Sequence, residues 1–228
     1  MLAEEKITRV SRQSSCLKGN DPLLLDGSQT AWRVQSGSLA LFAIHVQNGS
    51  PKGRRRYLFS IKAGETMFTA STEDDHPYQI LAVALEETEL LPMSRSAFDR
   101  WIVKEPETAI EQLENWIHRL GSAVSGIASA TLPTPLAVPG CGILDQGEIF
   151  QPAQGAIVWV QILQGHPNLL GRDGLDLTSA MGWVPLETYL WLQAIDIVEL
   201  ELCITGITDT NILLNGLNYL QTIVLKRI

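Results

Sequence analysis

The residues of this sequence that could do chemistry are sparse, and the densest group is a run of three arginines, Arg54, Arg55 and Arg56. Guanidinium groups bind carboxylates and phosphates through paired hydrogen bonds. The run follows a polar turn and enters a segment with strand character, so its side chains are expected to project outward. Two interpretations stay open: a charged strand edge that discourages strand pairing, or a docking site for an acidic partner or anionic lipid head groups.

The sequence contains no recognised catalytic motif. It lacks the glycine-rich loop that holds nucleotide triphosphates, the G-x-S-x-G nucleophile turn and the H-E-x-x-H zinc helix. The adjacent acids Asp74–Asp75 and Glu86–Glu87 are explained as solvated turns, because neighbours on a strand point to opposite faces. The cysteines and histidines are scattered, without metal-ligand spacing. We therefore predict no enzyme, no cofactor and no metal site.

The composition indicates a globular chain, with 45% hydrophobic and 18% charged residues among 228. The net charge of −8 argues against a general nucleic-acid binder, because binding phosphates requires a basic face. Residues 1–10 hold no signal-peptide core. The longest apolar stretch, 188–207, is interrupted by acids that would be costly inside hydrocarbon. We therefore expect a soluble, cytosolic segment that does not span a membrane.

The elements that position these residues begin after a polar N-terminal arm, residues 1–20. Residues 32–46 place strand-forming residues on both sides of Gly37 and predict a hairpin, and further short strands are predicted at 54–61 and around Glu86–Glu87. Short strands separated by turn signals are typical of a sandwich or barrel. The first module is therefore predicted over residues 21–104, with Ser94 as the N-cap of a helix near its end.

A linking helix is predicted over residues 105–129. Its apolar residues recur at spacings of three and four, which forms a heptad seam. The seam consists of Ile110, Leu113, Ile117, Leu120, Val124 and Ile127. It either packs on one of the barrels or pairs with its twin in a homodimer. Trp116 lies beside the seam and is expected to be partly exposed, which makes it a candidate for a partner contact.

Three prolines at 133, 135 and 139 predict an extended linker and a domain boundary within residues 130–140. Beyond it, residues 156–165 and 188–204 predict strands, and the segment from Asp209 predicts a helix with Asp209 or Thr210 as its cap. The two strand segments repeat the patterns of residues 32–42 and 80–94. The sequence therefore predicts a second, degenerate barrel with a C-terminal helix over residues 130–228.

Three segments of the first module resemble, in order and spacing, the cyclic-nucleotide-binding domain, a small jelly-roll barrel flanked by helices. They are WRVQSGSLALF at 32–42, GRRRYLFSIKAGETMF at 53–68 and AVALEETELLPMSRSAFDRWI at 82–102. The resemblance implies a mainly β fold with helices (α+β). We expect two jelly-roll, cupin-like β-barrel modules joined by the amphipathic helix.

The ligand site that this resemblance implies has lost its anchors. The family binds a ribose hydroxyl through a glutamate and the cyclic phosphate through an arginine. Aligned on the Gly64–Glu65 turn, this sequence has Thr69 near the glutamate position, and counting back from Ala84–Leu85 puts Tyr78 near the arginine position. Glu65, Thr69 and Tyr78 thus outline a degenerate pocket. Cyclic-nucleotide binding is not expected, because a phosphate in a pocket without its cation loses a charged hydrogen-bond partner.

Nearly the full length, and above all the pattern G-x-R-R-x-L-F-x-I-x-x-G-E from Gly53 to Glu65, is similar to the cytoplasmic N-terminal region of bacterial ABC exporters. These ATP-binding and permease subunits export bacteriocin precursors that carry nitrile-hydratase-like leader peptides. The resemblance implies a non-catalytic recognition or regulatory region at the cytoplasmic face of the inner membrane, with transmembrane and ATPase domains following Ile228. The expected partners are those domains, a leader peptide and a second copy of the chain.

Two other functions stay open. A small-molecule sensor would have a barrel pocket lined by converging polar groups, whereas a peptide-recognition region would have a filled barrel and an exposed groove. The third possibility is a purely structural dimerisation module.

Overall fold

The computed structural model describes residues 15–27, 29–47, 50–69, 77–124, 139–172, 174–204 and 209–227. The chain divides into two compact units between Trp116 and Ile117. This point lies inside the predicted linking helix, so the helix contributes its first part to unit 1 and its last part to unit 2. Most of the predicted linker, residues 130–138, lies outside the described residues. No described helix is long and apolar enough to cross a membrane.

The described part of unit 1 contains eight strands: β1 (Ser15–Leu17), β2 (Pro22–Leu25), β3 (Ala31–Ser36), β4 (Ser38–Gln47), β5 (Ser50–Lys62), β6 (Thr66–Phe68), β7 (Tyr78–Ala84) and β8 (Thr88–Met93). They make two antiparallel sheets with the orders β1-β8-β3-β6 and β2-β7-β4-β5. Because β3 and β4 belong to different sheets, the hairpin predicted over residues 32–46 is wrong. Gly37 is instead a corner where the chain passes between sheets, and its φ of +80° suits this turn.

Helices α1 (Arg95–Lys104) and α2 (Pro106–Val124) follow β8. The Ser94 hydroxyl accepts a hydrogen bond from Ala97 N at 3.4 Å, which confirms Ser94 as the N-cap of α1. Phe68 of β6 packs edge-on against Phe98 of α1 and Trp116 of α2, with ring centroids 5.9 Å apart in both pairs. These aromatic contacts fix α1 and the first part of α2 on the sheet of unit 1.

Among the described residues of unit 2 there are seven strands: β9 (Gly140–Leu144), β10 (Ile149–Phe150), β11 (Val158–Gln164), β12 (Pro167–Leu169), β13 (Trp183–Leu186), β14 (Leu192–Ala194) and β15 (Val198–Cys203). They make two antiparallel sheets, β9-β15-β11-β13 and β10-β14-β12. Helix α3 (Thr210–Arg227) follows. The Asp209 carboxylate accepts a hydrogen bond from Asn211 N at 2.7 Å, which confirms Asp209 as the cap of α3.

The two units repeat one plan. The four-stranded sheet β1-β8-β3-β6 corresponds strand for strand to β9-β15-β11-β13, and β2-β7-β4 corresponds to β10-β14-β12. The pairs β3–β8 and β11–β15 each contain a one-residue bulge at the same place, at Gln35 in unit 1 and at Leu163 in unit 2. The correspondence extends to individual residues, since the registers agree on both sides of the bulge.

The turn between the first two strands of each unit repeats as well. In unit 1 the Lys18 N–H donates to the Asp21 carboxylate at 2.8 Å, and in unit 2 the Asp145 N–H donates to the Glu148 carboxylate at the same distance. Unit 2 differs in having residues 170–182, instead of a long hairpin strand like β5, between β12 and β13 in its described part. With mainly β sheets and three helices, the structure confirms the predicted β-rich α+β fold class.

Candidate recognition surfaces and a buried carboxylate

The arginine run lies on β5, and the side chains of Arg54, Arg55 and Arg56 are exposed. β5 begins at Ser50, so the strand predicted over 54–61 starts earlier than expected and includes part of the polar turn predicted before it. The pairing of β4 with β5 shifts register beside this stretch, where Gly53 has a φ of +81°. This bulge lets the strand continue through residues that the sequence predicted as a turn.

β5 is the end strand of its sheet and pairs with β4 alone among the described strands. A terminal strand presents one row of backbone N–H and C=O groups that no neighbouring strand uses. Beside the arginines, Lys52 is exposed, and Tyr57 packs edge-on against Phe42 with centroids 5.8 Å apart. The edge is therefore basic, long and backed by an aromatic pair.

Each of the three residues predicted to outline a degenerate nucleotide pocket has a local partner. The Glu65 carboxylate accepts a hydrogen bond from Lys62 N at 2.7 Å, within the turn after β5. The Thr69 hydroxyl donates to the carbonyl oxygens of Gln29 and Thr30. Tyr78 packs edge-on against His45, with centroids 5.4 Å apart. Residues 70–76, between Thr69 and Tyr78, lie outside the described residues.

The interpretations of α2 need two corrections. Trp116, expected to be partly exposed, is 1% exposed, because its ring packs against Phe59 and Phe68 in unit 1. The seam is also covered within the single chain: the described members that are buried are Leu113, Ile117, Leu120 and Val124, while Ile110 is half-buried and Ile127 lies outside the described residues. The helix therefore packs on the units themselves, and this face is not free to pair with a second copy.

A buried carboxylate that sequence reasoning missed lies in unit 2. The side chain of Glu187, just after β13, is 3% exposed. Its Oε1 accepts a hydrogen bond from Tyr189 N at 2.8 Å, and its Oε2 lies 3.5 Å from Nδ1 of His118 on α2. Burial raises the pKa of Glu187, although the Tyr189 N–H and His118 oppose that rise. The sequence held one signal that could have identified this residue, because Glu187 is the one charged residue in 183–191.

Gly121 explains why α2 approaches Glu187 so closely. It lies one helical turn after His118, and a Cβ at Gly121 would overlap Oε1 and Cδ of Glu187. The absence of a side chain thus lets the helix backbone rest on the carboxylate. Glu187 is best understood as a positioning group that holds the last part of α2 on the β13–β14 turn.

An exposed histidine and aspartate pair occupies the corner between β11 and β12. His166 Nδ1 lies 2.7 Å from Asp196 Oδ2, and His166 N donates to Asp196 Oδ1 at 2.7 Å. This hydrogen bonding raises the pKa of His166 and lowers the pKa of Asp196. The equivalent corner of unit 1 has Ser38, whose hydroxyl donates to Glu86 at 2.8 Å. Both units thus have a hydrogen-bonded side-chain pair at this corner, built from different residues. This repetition indicates a structural role for the pair.

A surface cavity of about 710 Å³ lies where α1 begins. Its lining is rich in small polar residues and consists of Gly27, Gln29, Thr30, Pro92, Ser94, Arg95, Ser96 and Ala97. In the described ranges, no group of three His, Cys, Asp or Glu side chains could hold a metal ion.

Protein-family models and curated proteins provide no match to this sequence. Solved structures do show similarity. Oxidised CprK in complex with o-chlorophenolacetic acid is 13% identical, over 50% of this chain and 46% of that chain, with a TM-score of 0.41. A CooA mutant from Carboxydothermus hydrogenoformans is 15% identical over 52% and 75%, with a TM-score of 0.40. The catabolite activator protein of Thermus thermophilus is 24% identical over 47% and 48%, with a TM-score of 0.32.

The matched region spans about half the length of the CprK chain. Since the TM-scores are 0.41 and lower, the fold assignment rests on the strand order and registers described above.

Proposed function

We propose that this chain is a non-catalytic recognition region and that β5 of unit 1 binds an acidic, extended segment of a partner. The proposal rests on the position of three exposed arginines on β5, which pairs on one side only among the described strands. A peptide that adds to such an edge gains backbone hydrogen bonds, and its alternate side chains select the partner. Carboxylates on the peptide would meet the guanidinium groups.

The energetics favour a modest, salt-dependent affinity. One exposed ion pair contributes roughly 0.2–1 kcal/mol, so three arginines alone would not hold a partner tightly. Backbone pairing along the edge adds a second contribution that salt does not screen. Raising the ionic strength should therefore weaken binding without abolishing it.

We propose further that the partner is the leader peptide of an exported precursor and that the chain serves an ABC exporter. The support is the sequence resemblance, whose most specific pattern, from Gly53 to Glu65, coincides with β5 and the turn after it. In that setting the transmembrane and ATPase domains of the same polypeptide would be the other partners.

The test is titration calorimetry with a synthetic nitrile-hydratase-like leader peptide. Saturable binding that falls about two- to thirtyfold in Arg55→Glu, which replaces one exposed attraction with a repulsion of similar size, would support the proposal. Arg100→Glu, which makes the same charge change on an exposed site of α1, is the matched control and should bind as the original chain does. Equal binding by Arg55→Glu at fixed salt would remove β5 from the interface, and no binding would reject the leader peptide as partner.

A small-molecule sensor is the second candidate, and the polar cavity at the start of α1 favours it. Clefts of a few hundred Å³ with converging polar groups are typical of small-ligand sites. Titration with cyclic AMP and cyclic GMP tests the ligands that the family resemblance suggests. Saturable micromolar binding of either nucleotide would support the sensor and contradict the loss of the anchors at Thr69 and Tyr78.

A further inference from the structure

The internal repeat allows each surface position of unit 2 to be compared with a position of unit 1 on the same backbone. Each four-stranded sheet has one face with buried side chains and one with exposed side chains, which we call the outer face. Three equivalent positions on the outer faces of the two sheets differ in character. They are polar or small in unit 1 and aliphatic in unit 2. The equivalent pairs, unit 1 first, are Cys16 and Ile143, Gln35 and Leu163, and Glu87 and Ile197.

The three aliphatic side chains form what we term the β9–β15 patch: Ile143, Leu163 and Ile197. Their exposed fractions are 60%, 46% and 61%. Ile143 is paired across strands with Glu199, and Leu163 is the bulge residue opposite that same stretch of β15. Unit 1 shows that equivalent side chains touch, since Cys16 Sγ lies 3.5 Å from Glu87 Oε1. Ile143 and Ile197 are therefore at neighbouring positions, and Glu199 lies on the strand between Ile143 and Leu163.

The fold does not require these aliphatic residues, because unit 1 builds the same strands, bulge and turn with Cys, Gln and Glu. A cluster of exposed apolar side chains lowers solubility and usually marks a binding surface. On the neighbouring half of the sheet, α3 rests against β13: a Cβ at Gly216 would overlap the Trp183 carbonyl and the ring of Trp159. The β9–β15 half is the part left exposed.

Charge identifies the kind of occupant. The four strands of this sheet contain two acids, Glu199 and Glu201, and no Lys, Arg or His. Both acids belong to the outer face, paired with Ile143 and Cys141 of β9. A self-association of this face would bring like charges together, whereas a basic segment with aliphatic residues complements both features.

We infer that the β9–β15 patch binds a basic, apolar, extended segment of a partner protein, added as a strand to the edge of β9 that no described strand pairs with. β9 is the end strand of its sheet and carries no charged residue over Gly140–Leu144, so its edge lacks the protection that charges provide. Aliphatic side chains of the segment would cover Ile143, and lysine or arginine side chains would reach Glu199 and Glu201. This site is separate from the basic edge of β5 and has the opposite charge preference.

The probe is a short acetylated and amidated peptide of alternating lysine and isoleucine carrying a fluorescent label, followed by anisotropy at physiological salt. A scrambled peptide with its lysines and isoleucines in separate blocks controls for simple attraction to an acidic protein. The test variant combines Ile143→Cys, Leu163→Gln and Ile197→Glu. These are the residues that unit 1 already carries at the equivalent places, so the strands are expected to form.

The inference predicts that the alternating peptide binds saturably and more tightly than the scrambled one, and that the triple variant loses about tenfold or more in affinity. Glu199→Gln should weaken binding and reduce its salt dependence, whereas Glu89→Gln, the equivalent change in unit 1, should do neither. Three results would overturn it: no saturable binding, equal binding by the triple variant, or equal binding of both peptides. Sedimentation that shows the original chain self-associating, and the triple variant not, would replace the partner with a second copy.

Discussion

Replacing Gly121 with alanine tests whether the buried carboxylate holds α2 on unit 2. In an unobstructed helix interior this change stabilises by about 1 kcal/mol, because glycine is a poor helix former. Here the new Cβ would overlap the Glu187 carboxylate, which is 3% exposed and hydrogen-bonded to Tyr189 N. The carboxylate must move away from the N–H of Tyr189 and from His118.

The cost of that movement decides the sign. A hydrogen bond to a charged group contributes roughly 1.5–3 kcal/mol, and a buried carboxylate that loses its donor also keeps its desolvation penalty. After subtraction of the helix-propensity gain, Gly121→Ala is expected to destabilise by about 1–2 kcal/mol. In a Glu187→Ala background the obstruction is gone, so the same change should stabilise by about 1 kcal/mol.

The assay is urea unfolding of the four chains of this double-mutant cycle, followed by circular dichroism and tryptophan fluorescence. The reversal of sign corresponds to a coupling of about 2–3 kcal/mol between the two positions. Ser122→Ala, at the exposed neighbour on α2, is the control and should change stability only slightly. If Gly121→Ala stabilises the original chain, or has the same effect in both backgrounds, the carboxylate does not restrain the helix.

Three further predictions concern the same units. Because burial raises the pKa of Glu187 above its ordinary value of 4.5, this carboxyl holds its proton to a higher pH in the folded chain than in the unfolded chain. The unfolding free energy should therefore fall as the pH rises from 4.5 to the folded-state pKa of Glu187. Glu187→Gln should flatten this fall when unfolding is measured at a series of pH values. Gly165→Ala should destabilise more than Gly174→Ala, since both have positive φ but only at Gly165 would a Cβ meet the Ile197 carbonyl; equal losses in thermal melts would contradict this. Trp116→Ala should lower the stability of unit 1 by about 3–5 kcal/mol, as measured by urea unfolding. If the variant instead stays fully folded and loses binding to a partner, Trp116 is a partner contact as the sequence predicted.

The helix caps and the strand modules could be predicted because they depend on residues that are close in sequence. Ser94 was predicted as a helix cap, and the cap of α3 was narrowed to Asp209 or Thr210, because a cap depends on residues within one turn. The strand modules followed from alternation and turn residues. The hairpin at residues 32–46 failed because a glycine between two strands looks the same whether the strands pair or lie in different sheets. That choice is made by the distant partners β6, β7 and β8.

The functional residues were harder to predict because exposure and burial are tertiary properties. Heptad spacing identified the apolar face of α2 correctly, but spacing does not say what covers that face, and Trp116 is buried by Phe59 and Phe68. The arginine run was recognised from composition and predicted on a strand over 54–61, whereas the extension of that strand back to Ser50 depends on the bulge near Gly53. Glu187 was missed, since the burial of an acid in an apolar run depends on the helix that packs against it, here α2.

The repeat itself separates what the fold needs from what function adds. Features common to both units, such as the bulges at Gln35 and Leu163 and the glycine corners, are requirements of the shared strand plan. In the described residues, the basic strand β5 occurs in unit 1 alone and the aliphatic β9–β15 patch in unit 2 alone. If recognition is divided in this way, Arg55→Glu should impair only the acidic ligand and Glu199→Gln only the basic one. A variant that impaired both would show that the two surfaces are not independent.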